Sequence, residues 1–288
     1  MAVTTVYGVL GHPIGHSLSP VMHNAAFDAL TLDARYHAFD VDTQHAEAAI
    51  RGALALGFGG LNVTLPLKEV ALRYVDPDAL AKRVGAVNTV DRAGRGYNTD
   101  GAGAVSALKS ADVTVKGASV LLLGAGGAAK AIAAQLLLEG GRVLVANRTR
   151  SRSMLLAQHL MTENLACGCD DIEAHGLDEI DRLLQEATVL INATPVGMRG
   201  VSPGQTLVTS AQMPRGLVVF DIVYNPVETP LLREARAAGL QTIDGVKMLV
   251  YQGAASFTIW TGVEPPVAVM ERAVRETLRR SEAASQRR

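Results

Sequence analysis

The chain has 288 residues, nearly half of them apolar, and aromatic residues are sparse. A single core stops growing at roughly 250–300 residues, so two layered α/β domains are expected in place of one. The formal net charge of −1, with acids and bases mixed along the chain, leaves no basic face for a phosphate backbone or an anionic lipid, which argues against nucleic acid and membrane as partners.

Met1 to Tyr7 lacks the basic segment and long apolar run of a signal peptide, and no stretch reaches the roughly 18 apolar residues of a membrane span, so a cytoplasmic location is expected. Cys167 and Cys169 are one residue apart, too close for an ordinary disulfide and without the partners a zinc site needs. They read as reduced thiols, and no metal is implied.

Thr5 to Leu10 is a β-branched and apolar run ending at Gly11-His12-Pro13, which predicts a strand and a turn. Ser19-Pro20 opens a segment to Leu30 with helical spacing, Ser19 serving as N-cap and Pro20 as the first helical residue. Tyr36 to Val41 reads as a strand, Gln44 to Leu56 as a helix and Gly59 to Val63 as a strand. Lys68 to Tyr74 reads as helical, and Ala86 to Val90 and Arg95 to Tyr97 as two joined strands. Asn98-Thr99-Asp100-Gly101 reads as a turn, followed by a helix from about Gly103 to Ser110 that leaves the first domain at the expected hinge.

Ala118 to Leu123 is a continuous apolar run, as in a strand buried on both faces, and it feeds a glycine-rich turn and a helix to Glu139. Arg142 to Ala146 is the next strand. Val189 to Asn192, Leu217 to Ile222, Pro230 to Ala238 and Gln241 to Ile243 continue the alternation, which predicts a doubly wound sheet. Val246 to Thr261 and Pro266 to about Arg280 read as two helices, and Ser281 to Arg288 as a frayed tail.

In Gly124-Ala125-Gly126-Gly127-Ala128-Ala129 the first glycine permits a tight turn, the second lets backbone approach a pyrophosphate, and Ala129 lets helix pack close to strand. An NAD enzyme places an acid at the end of the second strand; here stand Asn147, Arg148, Thr149, Arg150, Ser151 and Arg152, whose guanidinium groups suit a 2′-phosphate. NADP is the expected cofactor.

Polar clusters end the expected strands of the first half: His16-Ser17-Leu18-Ser19-Pro20, Asn62-Val63-Thr64-Leu65-Pro66-Leu67-Lys68, Gly85-Ala86-Val87-Asn88-Thr89 and Asn98-Thr99-Asp100-Gly101. The second half adds Asn192-Ala193-Thr194-Pro195-x-Gly197-Met198, Asp221-x-x-Tyr224-x-Pro226, and Asp244-Gly245 followed by Met248-Leu249 and Gln252. In these motifs the chain resembles the shikimate dehydrogenase family from Tyr7 to about Arg275.

The resemblance implies an N-terminal α/β substrate-binding and catalytic domain over residues 1–103, completed by C-terminal helices over 246–288, and a Rossmann-like NADP-binding domain over 104–245. It implies NADPH-linked reduction of 3-dehydroshikimate to shikimate, with Lys68 and Asp100 as catalytic pair. Ser17 and Ser19 then hold the substrate carboxylate with Tyr224 nearby, and Thr64, Asn88, Asp100 and Gln252 bind hydroxyls. Gly124, Gly126, Gly127, Ala128, Ala129, the Asn147 to Arg152 turn, Thr194, Ile222 and Gly245 line the cofactor. A lysine suits the chemistry, because a ketone under reduction gathers negative charge on oxygen and takes up one proton.

Two other readings compete. A quinate/shikimate dehydrogenase using NAD is opposed by the arginines, and a non-catalytic NADP-binding regulator by the Lys68 and Asp100 pair. The partner expected is a small-molecule substrate, with the chain a monomer or homodimer. His12, His16 and His23 read as turn or helix packing. Ala104 departs from the larger apolar residue common in the family.

Overall fold

The computed structural model describes residues 3–166 and 170–286, so Cys167 and Cys169 lie outside the described residues. The chain divides into two compact units, Met1–Thr99 with Val250–Arg288, and Asp100–Leu249.

In the first unit the elements are β1 (Thr5–Gly11), α1 (Ser19–Ala29), β2 (Ala34–Asp40), α2 (Ala46–Ala55), β3 (Gly60–Val63), β4 (Asp76–Pro77), α3 (Ala79–Val84), β5 (Thr89–Asp91) and β6 (Arg95–Tyr97). The sheet order is β2-β1-β3-β5-β6-β4. β1 runs parallel to β2 and β3, while β5 runs antiparallel to both β3 and β6.

Alternate side chains of a strand face opposite sides, and β3 uses this fully. Leu61 and Val63 join Ile50, Leu67, Ala71, Ala81 and Val90 in a buried apolar cluster on one side. Gly60 and Asn62 face the other way: a Cβ on Gly60 would meet the Trp260 ring, and Asn62 reaches Ser256.

The second unit opens with α4 (Asp100–Lys109) and continues with β7 (Ser119–Leu123), α5 (Gly127–Leu138), β8 (Arg142–Asn147), α6 (Arg150–Thr162), β9 (Ile172–Gly176), α7 (Ile180–Glu186), β10 (Val189–Asn192), β11 (Val218–Asp221), α8 (Pro230–Ala237) and β12 (Thr242–Ile243). Its sheet is parallel throughout, in the order β12-β11-β10-β7-β8-β9. This is the doubly wound arrangement that the apolar runs predict, with the order reversing between β7 and β10. Leu121, Leu123, Leu144 and Leu190 pack with Leu183 and Leu184 of α7 and Leu231 and Leu232 of α8 in a buried core.

α9 (Gly245–Thr261) leads from the second unit into the first, and α10 (Val267–Gln286) packs against α1. These are the returning C-terminal helices. The frayed tail is corrected: Ser281 to Gln286 continue α10, in a stretch of alanine, glutamate and arginine that favours helix.

Three further local readings change. Lys68 to Tyr74 holds only a 3₁₀ turn, Val70–Arg73. Asp100 and Gly101 are the first residues of α4, where an acid is favoured by the helix dipole. Ser19 does not cap α1; Leu18 occupies the cap position without a side-chain bond, and Pro20 lies in the first turn.

Candidate functional site

β7 ends in a sharp turn at Gly124, whose φ of 113° lies in the left-handed region and whose added Cβ would stand 2.9 Å from the Ala193 carbonyl oxygen. A side chain there would be strained and would push the loop after β10 away. α5 then starts with Gly126 as its cap and no side chain bonding its first amides, which leaves N–H groups for an anion.

Beside this turn lies a cavity of about 450 Å³, lined among the expected residues by Gly124, Gly126, Asn147, Arg148, Arg152 and Thr194. Gly127, Ala128, Ala129, Thr149, Arg150, Ile222 and Gly245 stand outside its lining. Arg150 is drawn to Glu179, with Nη1 3.4 Å from the carboxylate. Arg148 and Arg152 have no acidic partner among the described residues. Two uncompensated guanidinium groups, an open helix N-terminus and a glycine turn without room for a Cβ fit a phosphorylated dinucleotide. Gln205, Thr206 and Leu207 also line the cavity. They lie in an irregular segment between β10 and β11, where no periodicity marks them.

Asn192 and Asp221, at the ends of β10 and β11, hold this region together. Asp221 accepts hydrogen bonds from Asn192 Nδ2 at 2.9 Å, the Val223 amide at 3.0 Å and Thr229 Oγ1 at 2.6 Å. Burial nevertheless pushes its carboxyl up to about 6, because the charged form is desolvated. Asn192 Oδ1 accepts from the Thr194 amide at 3.0 Å and its hydroxyl at 2.7 Å, which fixes Thr194 at the cavity wall. Tyr224 directly follows Val223, and burial raises its phenol above the usual tyrosine range.

In the first unit, the antiparallel run of β5 brings its start beside the end of β3, with Asn62 opposite Thr89 and Thr89 opposite Tyr97. One end of the sheet therefore gathers Thr64, just past β3, Asn88, just before β5, and Asn98-Thr99, just past β6. The Val63 amide donates to the Asn88 carbonyl at 2.8 Å, and the Val87 amide to the Lys68 carbonyl at 2.9 Å. Lys68 thus hangs from the same edge as Asn88. Ser17 lies in the loop after β1, where its hydroxyl accepts from the Ser19 amide at 3.4 Å. Gln252 stands on α9, one turn before the buried Ser256, whose hydroxyl donates to the Gln252 carbonyl. Asp100 is the buried first residue of α4 in the second unit.

Of the histidines, His12 pairs with Asp40 at 2.9 Å on an exposed edge. His23 is fully buried, and desolvation lowers its imidazole to about 3. Sequence reasoning quoted Thr89 in a polar cluster but gave it no role, and passed over Tyr36 and Ser256; the three form a buried polar layer with Asn62. The signals were weak but present: a polar Asn62 inside an apolar strand, and Ser256 four residues after Gln252 on one helix face.

Three family descriptions match the chain: shikimate dehydrogenase substrate binding domain over residues 9–90, shikimate / quinate 5-dehydrogenase over 106–249, and shikimate 5'-dehydrogenase C-terminal domain over 245–275. The shikimate dehydrogenase (NADP(+)) of Methanococcoides burtonii is 52% identical over 275 residues, which cover 95% of this chain and 98% of that one. A crystal structure of a shikimate dehydrogenase in complex with NADP+ is 41% identical, covers 96% of both chains and superimposes with a TM-score of 0.91. Shikimate 5-dehydrogenase from Thermus thermophilus, solved with NADP(H) and shikimate, is 38% identical over 94% of this chain and 99% of that one, with a TM-score of 0.83.

Proposed function

The chain belongs to the shikimate dehydrogenase family, and we propose on that basis that it reduces 3-dehydroshikimate to shikimate with NADPH, and catalyses the reverse oxidation, through the residues below. What carries the reading is the gathering of Thr64, Lys68 and Asn88 at one sheet end, within family matches over residues 9–90, 106–249 and 245–275. It acts in the cytoplasm on a small-molecule substrate, as a monomer or homodimer.

Lys68 and Asp100 are the catalytic pair. The Lys68 ammonium places positive charge at the ketone oxygen and donates the proton that oxygen needs as it becomes an alcohol. Asp100 orients the adjacent ring hydroxyl. Ser17 and Ser19 donate hydroxyl protons to the ring carboxylate, with Tyr224 beside it, and Thr64, Asn88 and Gln252 bind ring hydroxyls.

The bound dinucleotide supplies the hydride. Arg148 and Arg152 take the 2′-phosphate of NADP, since they face the cavity without acidic partners, and the amides at the start of α5 face the pyrophosphate. Asn147 and Thr194 hold the remaining polar groups at the cavity wall. Gly127, Ala128, Ala129, Thr149, Arg150, Ile222 and Gly245 serve the same end from outside the lining, by shaping the turns that carry it.

The test is the initial rate for shikimate and for quinate, each with NADP and with NAD. NADP-linked shikimate oxidation with little quinate turnover is expected. NAD-linked quinate turnover, or binding without turnover, would contradict the reading.

A further inference from the structure

Asp221 is fully buried at the end of β11, and no cation pairs with it among the described residues. Its charge is met by three neutral donors: Thr229 Oγ1 at 2.6 Å, Asn192 Nδ2 at 2.9 Å and the Val223 amide at 3.0 Å. A carboxylate buried without a cation polarises the donors that hold it, and the polarisation passes along any hydrogen-bond chain they belong to.

The Asn192 amide belongs to such a chain. Its orientation is decided by the Thr194 amide, an N–H that can only donate, 3.0 Å from Asn192 Oδ1. Nδ2 therefore faces Asp221, with the Val196 carbonyl as its second acceptor at 3.2 Å. Oδ1 can only accept, so at its 2.7 Å contact with Thr194 Oγ1 the threonine gives its proton. Thr194 Oγ1 in turn accepts from the Val196 amide at 3.2 Å. The threonine oxygen is left with a lone pair and no proton, and Thr194 lines the cavity beside the glycine turn. Its methyl leans on that turn: a Cβ on Gly124 would stand 3.1 Å from Thr194 Cγ2.

We propose that Asp221 is a positioning residue for the cofactor: through Asn192 it commits the Thr194 proton inward, so that Thr194 receives a hydroxyl or amino group of the dinucleotide and turns phosphate oxygens away. The proposal rests on the NADP reading given above and names the group that Thr194 takes. The cavity is then polarised across its width. Arg148, Arg152 and the amides at the start of α5 offer protons and positive charge, whereas Thr194 offers a lone pair backed by the carboxylate. A dinucleotide carries groups of both kinds, phosphate oxygens that accept and ribose hydroxyls and amino groups that donate. To donate to a phosphate, Thr194 would have to give up its bond to an amide oxygen made more basic by Asp221.

The experiment is steady-state kinetics at about pH 8, where the Asp221 carboxyl, with a folded value of about 6, is ionised. Thr194→Val keeps the branched shape and removes the acceptor. It is expected to raise KM for NADP and for NAD by the same factor, about 3- to 10-fold, with KM for shikimate near wild type, and Thr194→Ser is expected to restore both. Asp221→Asn removes the charge and keeps the shape. It is expected to raise KM for both dinucleotides about threefold in the wild-type background and less than about 1.5-fold in the Thr194→Val background. NADP analogues lacking in turn a ribose hydroxyl, the adenine amino group or the carboxamide nitrogen locate the group received. One of them is expected to lose in wild type what Thr194→Val loses, and to lose nothing further in that variant. A loss confined to NADP, equal fold-changes for Asp221→Asn in both backgrounds, or additive losses for every analogue would overturn the proposal. Should Asp221→Asn fail to fold, Asn192→Leu breaks the chain one link nearer the cavity. It is expected to raise KM for both dinucleotides and spare that for shikimate, and no such split would count against the proposal. Wild-type protein without NADP-linked turnover overturns both readings, whereas normal wild-type turnover matched by Thr194→Val overturns this one alone.

Discussion

The sheet of the second unit is aliphatic through its middle, with Val120 to Leu123, Val143 to Ala146 and Val189 to Ile191 all buried, and its buried polar groups stand at or beside strand ends, Asn192 and Asp221 as last residues and His175 one before the last of the edge strand β9. The central strands of the first unit's sheet instead carry Asn62 and Thr89, and polar side chains from β2 and α9 close around them. All tyrosine, tryptophan and phenylalanine residues except Phe220 and Tyr224 also lie in the first unit. The difference follows from what each site has to recognise. A pyrophosphate is met mostly by backbone amides at a helix start, so the sheet beneath needs only to be rigid. A ring with several hydroxyls and a carboxylate needs side chains fixed in direction, and a buried, mutually satisfied polar layer provides that stiffness.

The largest expected effect tests whether chemistry resides in the first unit's polar edge. Lys68→Ala is expected to lower kcat by roughly 10²–10⁴-fold with KM for shikimate changed far less. Near-normal turnover would remove Lys68 from the mechanism.

Acid titration sharpens the comparison, because the two units bury ionisable groups with opposite consequences. His23 has a folded value of about 3 against an ordinary 6.5, so its contribution to stability is full above pH 6.5 and is lost as pH falls toward 3. At about 1.4 kcal/mol per unit, this amounts to a few kcal/mol in the acid limb, which His23→Leu should flatten in denaturant melts taken across that range. Asp221 behaves in the reverse sense. Its folded value of about 6 lies above the ordinary 3.8, so its contribution is full below pH 3.8 and declines as pH rises through 6. Asp221→Asn should remove that slope, which is worth up to about 3 kcal/mol. Parallel slopes in the two variants would break the contrast.

A smaller effect is expected at the turn between β7 and α5. Gly124→Val should cost about 1–3 kcal/mol of stability from backbone strain alone and should weaken NADPH binding followed by nucleotide fluorescence. Wild-type binding in that variant would mean that the Ala193 loop yields without disturbing the cavity.

The same contrast explains what was readable in the chain. The aliphatic runs, the glycine turn and the arginines after β8 are local patterns, and they place a doubly wound sheet and a dinucleotide without further information. Helix α3 was missed although Asp78 caps it, accepting from the Ala81 amide at 2.7 Å, and Gly85 ends it at a φ of 73°. At six residues it is too short to build a periodic signal. The capping role expected of Ser19 failed because α1 starts one residue earlier than expected: Leu18 is the cap and Ser19 is already the first helical residue. The polar layer is hardest to read because its members lie far apart in the chain: Asn62 and Ser256 are separated by 194 positions and come together only in the fold.

The division between the units is tested most directly by steady-state kinetics with both substrates varied, on Ser17→Ala with Ser19→Ala and, separately, on Arg148→Ala with Arg152→Ala. The serine pair is expected to raise KM for shikimate about 10-fold or more and leave KM for NADP near wild type, and the arginine pair to raise KM for NADP about 100-fold while NAD-linked turnover barely changes. If the serine variant lost NADP affinity instead, or the arginine variant discriminated NADP from NAD as the wild type does, the assignment of carboxylate and 2′-phosphate to these residues would be wrong.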